Sequence, residues 1–259
     1  MKNAMKKIYL ILMLFYLYAP ILVLIVLSFN EARSRVVWGG FSLKWYADLF
    51  SNETVMNALR TTLVIAFVSA FAATVLGTLA CLGIHRMRKV PRTVVMGINN
   101  IPMMNADIVT GISLMLCFMA FGVTLSMQTV LLAHITFNVP YVILSVMPKL
   151  KQMEGSTYEA ALDLGASPLY AFFKVVMPDL MPGILSGFLM AFTMSLDDFV
   201  ITHFTTGAGV NTLSTLVYSE VRRGIKPTLY ALSTLMFVSV LALLILINVR
   251  PQKKRDVIE

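Results

Sequence analysis

Six predominantly apolar stretches interrupt this sequence, at 8–29, 62–84, 94–121, 125–147, 183–204 and 230–249. Each matches the roughly 20 residues that an α-helix needs to cross a hydrocarbon core about 30 Å thick. Inside that layer no water is available to satisfy backbone N–H and C=O groups, so a spanning segment must be a helix or part of a closed barrel. The stretches are continuously apolar rather than alternating, which points to helices. The expected fold class is therefore all-α, a polytopic membrane protein with six transmembrane helices. With 58% hydrophobic residues and a mean hydropathy of +0.80, the chain is unlike a soluble domain. It shows no internal repeat or low-complexity segment, so 1–259 reads as a single membrane domain.

Lys2, Lys6 and Lys7 precede the first stretch as they would in a secretory leader. The stretch is too long for a leader core, carries Pro20 and lacks a small-x-small cleavage site before Asn30, and so it reads as a helix. Fourteen of the 21 basic residues fall in 1–7, 85–93, 148–182 and 250–259, chiefly in His85-Arg86-Met87-Arg88-Lys89 and in the run from Arg250 to Arg255. The remaining seven lie in the alternate loops, which places both termini in the cytoplasm. The net charge of +8 is thus largely a record of topology, and no soluble basic patch suggests nucleic acid.

Cys81 and Cys117 both fall inside spans and read as buried small side chains, not as a disulfide. Eighteen Met suit adaptable packing. No Cys/His metal spacing, Gly-rich phosphate loop or nucleophile elbow occurs, and His85, His134 and His203 form no evident catalytic set, so no metal, cofactor or catalytic residue is expected. Gly77, Gly83, Gly183 and Gly187 read as helix-packing positions. Pro102 and Pro140 interrupt the third and fourth spans, with Asn99, Asn100, Asn105 and Asn138 close enough to satisfy freed backbone groups. In the first outer loop, 30–61, the run from Gly39 to Phe50 spaces Trp45 and other aromatics as in a short helix at the membrane surface, and interfacial anchoring is the ordinary use of such residues.

The polar segment from Glu154 to Pro182 is long for a connection in a helical bundle, yet ordered in pattern. Ser156 or Thr157 can cap a helix through Glu159, Ala160, Ala161 and Leu164, with Gly165 ending it. Ser167-Pro168 then opens a second short helix with Leu169, Phe172, Phe173 and Val176 on one face. This segment resembles the cytoplasmic coupling loop of ABC importer permeases. Glu159-Ala160-Ala161, Gly165, Val175 or Val176, and Pro178 match that loop's pattern of Glu-Ala-Ala, three residues, Gly, about nine residues, a hydrophobic residue, one residue and Pro. The resemblance implies a type I ABC importer permease fold, with 62–250 as its core and 151–182 as the loop that docks on ATP-hydrolysing subunits. The chain itself has no Gly-x-x-x-x-Gly-Lys-Ser/Thr loop and is expected to be a transport subunit, not an enzyme.

Three carboxylates lie within predicted spans: Asp107 in the third, Asp197 and Asp198 in the fifth. Each costs roughly 2.5–3.5 kcal/mol at the centre of a membrane helix, and no Lys or Arg at that depth offsets them. Counting the helical rise puts Asp107 and Asp198 at similar heights, roughly 22 Å from the inner ends of their spans. Adjacent residues diverge by about 100° on a helix, so Asp197 and Asp198 share one target only if the helix is distorted; one of them is free to cap a helix or engage the Ser195 region. Carboxylates in a passage favour a cationic solute, and the bland alternative is that they are hydrogen-bonded within the bundle.

The runs Gly40 to Tyr46, Met104 to Val109, Ala133 to Phe137 and Phe192 to Asp198 resemble segments of the C-type permeases of spermidine/putrescine importers. Where that family carries Ser-Pro-Asp, this chain has Asn105-Ala106-Asp107. The resemblance implies a bacterial inner-membrane importer with four partners in addition to the lipid bilayer: a second related permease, two ATP-binding subunits and an extracytoplasmic polyamine-binding protein. It links Trp45, Asp107, Ser195, Asp197 and Asp198 to the substrate pathway. Two other readings stay open from the residues alone: an ABC permease for another cation or a metal chelate, and a stand-alone ion-coupled carrier using Asp107 and Asp197 as proton sites.

Overall fold

The computed structural model describes residues 2–34, 36–153, 155–224 and 226–249. The basic run from Arg250 to Arg255 and the Glu154 start of the polar segment lie outside the described residues. The chain divides into two compact units, Met1–Met56 with Val217–Glu259, and Asn57–Leu216.

In the first unit, helix α1 (Lys2–Ser28) packs on α12 (Pro227–Val249), which also meets the short α2 (Lys44–Ser51). Apolar side chains such as Ile8, Leu12, Phe15 and Tyr16 point outward from α1. That inverted arrangement fits a helix whose solvent is lipid. Between α1 and α2 the chain is held by Asn30, whose Oδ1 accepts the Ala32 and Gly39 amides and whose Nδ2 donates to the Ser34 and Val37 carbonyls.

The second unit is built on α3 (Glu53–Arg86), α6 (Met127–Gln152) and α9 (Met177–Asp197). With Glu53 in its first turn and His85 and Arg86 in its last, α3 is charged in the sense its dipole favours. Ser126 caps α6: its hydroxyl accepts the Gln128 amide and the Thr129 hydroxyl accepts the Ser126 amide. The core is close-packed from small and flexible side chains, Ala70, Ala73 and Cys81 of α3 against Val142, Val146 and Met147 of α6 and Leu180 and Ala191 of α9. Glycines set this distance. A Cβ on Gly77 would stand 2.7 Å from Val142 Cγ1, and one on Gly187 3.3 Å from the Val142 Cα. Gly83, expected at a packing face, instead has nothing within 4 Å of where its Cβ would be. It lines a 410 Å³ cavity with Arg86, Leu150, Tyr158 and Phe172. Cys81 is buried as expected, whereas Cys117 is exposed, its helix presenting that face outward.

Among the described residues, four helices are long and apolar enough to cross a membrane: Lys6–Ser28, Glu53–Arg86, Met127–Gln152 and Pro168–Asp197. A fifth crossing results if α4 (Lys89–Met104) and α5 (Asp107–Ala120) form one broken span, and Pro227–Leu241 is apolar but shorter. Three expectations about span shape are corrected. The third span is interrupted not at Pro102 but at Asn105-Ala106, where it turns through 107°, and the fourth is not interrupted at Pro140, since α6 runs through it unbroken. The fifth does not begin at 183. After α7 (Gly155–Asp163), α8 (Pro168–Ala171) runs through a single π-helical stretch, Phe172–Val176, into α9, so the second helix of the polar segment is the start of the span itself. The wide turn, closed by the Met177 amide on the Phe172 carbonyl, precedes Pro178, whose ring has no N–H to offer the ladder.

Candidate functional site

The two helix breaks carry the carboxylates. At the first, Asn105 and Ala106 are extended (ψ 152° and 139°), and the Asn105 amide closes α4 on the Ile101 carbonyl. Asp107 is then the first residue of α5, exposed, where the N-terminal dipole favours an anion. At the second, Asp197 ends α9 and is exposed, Asp198 is extended (ψ 120°), and α10 (Val200–Thr205) follows. The bend at the first break means that a count of helical rise along the third span no longer measures depth, so the shared height expected for Asp107 and Asp198 has no basis in this geometry.

Asp198 turns inward. Its Oδ1 accepts the Ile201 amide at 3.2 Å, and its Oδ2 accepts the Thr202 amide at 2.7 Å and the Thr202 hydroxyl at 2.9 Å. The carboxylate thus satisfies amides that the first turn of α10 would leave unpaired. Its carbonyl accepts the Ser214 hydroxyl from α11 (Leu213–Arg223). It also faces His134 of α6, with Nε2 3.4 Å from Oδ2; the two side chains, His134 and Asp198, are 3% and 8% exposed. The other ring nitrogen lies 2.6 Å from Ser195 Oγ, and Ser195 Oγ is 3.1 Å from Ser69 Oγ of α3. Ser195 and Asp198 are therefore brought together, through a histidine that the sequence alone did not single out, while Asp107 and Asp197 stay outside this network. A polar ring inside an apolar span is a signal in itself. The partners, 61 and 68 residues away in the chain, were not legible.

α10 also packs on α5. A Cβ on Gly111 would meet Phe204 Cδ2 at 3.2 Å and Ile201 Cα at 3.4 Å, so the glycine lets the two backbones approach. The helices that follow the two breaks consequently touch each other.

Trp45, in the first unit, is 4% exposed, and its indole N–H donates to the Asn30 carbonyl at 2.6 Å. It is a buried anchor of the 30–41 loop and not an interfacial belt residue, a role closer to the exposed Trp38 and Phe50. Lys44 Nζ lies 5.5 Å from the Trp45 ring centroid.

The polar segment forms a projecting helix, turn and helix. Glu159 and Ala160 are exposed on α7 and Ala161 is half-buried. Gly165, at φ +87°, ends α7 with the Gly165 amide on the Leu162 carbonyl and the Ala166 amide on the Ala161 carbonyl, the paired bonds of a Schellman turn. Ser167 caps α8 by accepting the Tyr170 amide. Leu164 is 89% exposed and Leu169 72%, an apolar tip on a polar segment. Pro178 is exposed in the first turn of α9, away from that tip in sequence.

A membrane chain whose described residues are helical, with one span broken at Asn105-Ala106 and an exposed helix-turn-helix ahead of α9, has the fold of ABC importer membrane subunits. Solved structures agree: a bacterial importer of the acidic polysaccharide alginate superposes with TM-score 0.72 at 17% identity, over 95% of this chain and 92% of that one. The MetNI methionine transporter gives TM-score 0.59 at 21% identity, over 76% and 95%. The chain belongs to the binding-protein-dependent transport system inner membrane component family, which matches residues 73–252. It is a multi-pass membrane permease. Among its relatives, the spermidine/putrescine permease PotC of Haemophilus influenzae is 38% identical, over 89% of this chain and 90% of the relative. The putrescine permease PotI of Escherichia coli is 37% identical, over 93% and 90%.

Proposed function

We propose that this permease imports polyamines, with Asp107 and Asp197 meeting the cationic solute and Ser195 and Asp198 shaping the path beside them; Trp45 is assigned to the pathway by the resemblance to polyamine permeases alone. The observation that carries the reading is the placement of two exposed carboxylates at helix breaks within apolar spans. Acidic side chains in membrane spans are rare and mark substrate or ion paths, and the relatives that match nearly the whole chain are named for spermidine and putrescine. Six spans with both termini in the cytoplasm complete the architecture, α12 supplying the sixth. Residues 1–259 act as one permease domain, 62–250 as its core and 151–182 as the loop that docks on two ATP-binding subunits through Glu159, Ala160, Ala161, Gly165 and Pro178. A second related permease and an extracytoplasmic polyamine-binding protein complete the transporter.

Uptake of radiolabelled putrescine and spermidine by cells carrying the transporter tests the reading. Asp107→Asn and Asp197→Asn should each lower uptake by about tenfold or more, as loss of a charge contact worth about 1.4 kcal/mol or more would, at unchanged amounts of chain in the membrane. Wild-type uptake in both variants defeats the acidic path, and absence of polyamine uptake by the unmodified transporter defeats the cargo.

A further inference from the structure

We propose that His134 is a positioning residue for the transport path: it fastens the start of α10 to the end of α9, and through α10 it sets where the two exposed carboxylates stand. The proposal rests on the polyamine reading only for its uptake measurement.

Both ring nitrogens of His134 are engaged, Nδ1 at 2.6 Å from Ser195 Oγ and Nε2 at 2.9 Å from Thr202 Oγ1 and 3.4 Å from Asp198 Oδ2. The donors and acceptors can be assigned in sequence. An ionised carboxylate only accepts, so the single hydroxyl proton of Thr202 goes to Asp198, at 2.9 Å from Oδ2. The Thr202 oxygen is then an acceptor and Nε2 carries the proton directed at it. In the tautomer whose proton is on Nε2, Nδ1 accepts and the Ser195 hydroxyl donates there. The Ser195 oxygen remains free to accept from Ser69 at 3.1 Å. The imidazole of α6 therefore joins α9 and α10 directly and α3 through Ser195, with every polar atom of the set in use.

The consequence follows from the length of α10. A six-residue helix is not stable by its own hydrogen bonds. It stands because Asp198 caps it and because Ile201, Thr202 and Thr205 are buried. α5 follows it through the Gly111 contact, and the first residue of α5 is Asp107. Asp197 is the last residue of α9, two residues from Ser195. Releasing His134 loosens the stretch that lies between the two carboxylates.

The test uses the whole transporter, with Thr205→Cys added to a Cys81→Ala, Cys117→Ala background. Thr205 is fully buried, so its replacement thiol reports on whether α10 stays fastened. His134→Ala should speed labelling by a water-soluble thiol reagent about tenfold and raise KM for putrescine about tenfold, a loss of about 1.4 kcal/mol in solute binding. Maximal uptake should change less than KM. His134→Gln, whose terminal amide reaches the place of Nε2, should restore most of both; His134→Asn, which reaches only the place of Nδ1, should not. Unchanged labelling in His134→Ala overturns the proposal. So does equal loss in the Ala, Gln and Asn variants, which would make His134 a packing residue. If the unmodified transporter takes up no polyamine, the cargo reading fails and the labelling alone decides the role of His134.

Discussion

At the scale of single residues, two adjacent carboxylates have opposite surroundings. Asp198 accepts two main-chain amides and a hydroxyl and faces an imidazole, while Asp197 is exposed at the end of α9. Replacing Asp198 with Asn leaves one oxygen to accept and turns an NH2 group toward donors that have nowhere else to go. Hydrogen bonds to a charged group contribute about 1.5–3 kcal/mol, so Asp198→Asn should cost at least about 2 kcal/mol and lower the Tm of the detergent-purified chain. Asp197→Asn should leave Tm where it is, because it removes an exposed charge. Equal thermal shifts in the two variants would show that the cap does not hold the break. The sequence already required the two residues to differ, since neighbours on a helix diverge by about 100°, but it did not say which one turns inward. That choice depends on His134, Ser195 and Thr202 meeting across helices, a matter of tertiary packing that no local spacing encodes.

At the scale of elements, the apolar runs were legible and their interruptions were not. Pro102 suggested the point of interruption, yet the helix continues to Met104 and fails three residues later at Asn105-Ala106, where the Asn105 amide can still close α4 on Ile101. The polar segment was expected to run to Pro182 and the fifth span to begin at 183, yet a π-helical stretch carries one helix from Pro168 to Asp197. Proline constrains its own turn and the turn before it; whether a helix resumes depends on what the next turn packs against. Glycines show the same division. Gly77 sits against Val142, and Gly83, six residues on, faces open space. Gly77→Ala should therefore force α3 from α6 and destabilise the chain by about 1–3 kcal/mol. Gly83→Ala should be neutral or stabilising by up to about 1 kcal/mol through helix propensity. Thermal unfolding of the two variants beside the parent checks this, and a loss in Gly83→Ala as large as in Gly77→Ala would contradict the packing described here.

At the scale of the whole molecule, the polar segment is continuous with a helix long enough to cross a membrane. The α7 helix, the Gly165 turn and α8 are joined without a flexible link to α9, because the π-helical stretch continues directly into the span that ends at Asp197. The helix that opens at Pro168 therefore runs on to the second break without interruption. The segment is also held at its base, where Tyr158 and Phe172 pack against the core that includes Ile84, Leu150 and Val176. Its outermost apolar side chain, Leu164, is 89% exposed, so the chain itself gains little from it. A large apolar side chain left in water on a polar segment is a candidate for burial against a partner. Leu164→Asp should leave Tm and membrane levels unchanged, since surface substitutions away from special features usually stay within about 0.5 kcal/mol. It should nevertheless abolish co-purification of the ATP-binding subunits and reduce uptake in parallel. Retained co-purification with normal uptake would remove the tip from the docking surface, whereas a drop in Tm would mean that Leu164 supports the fold and not the contact.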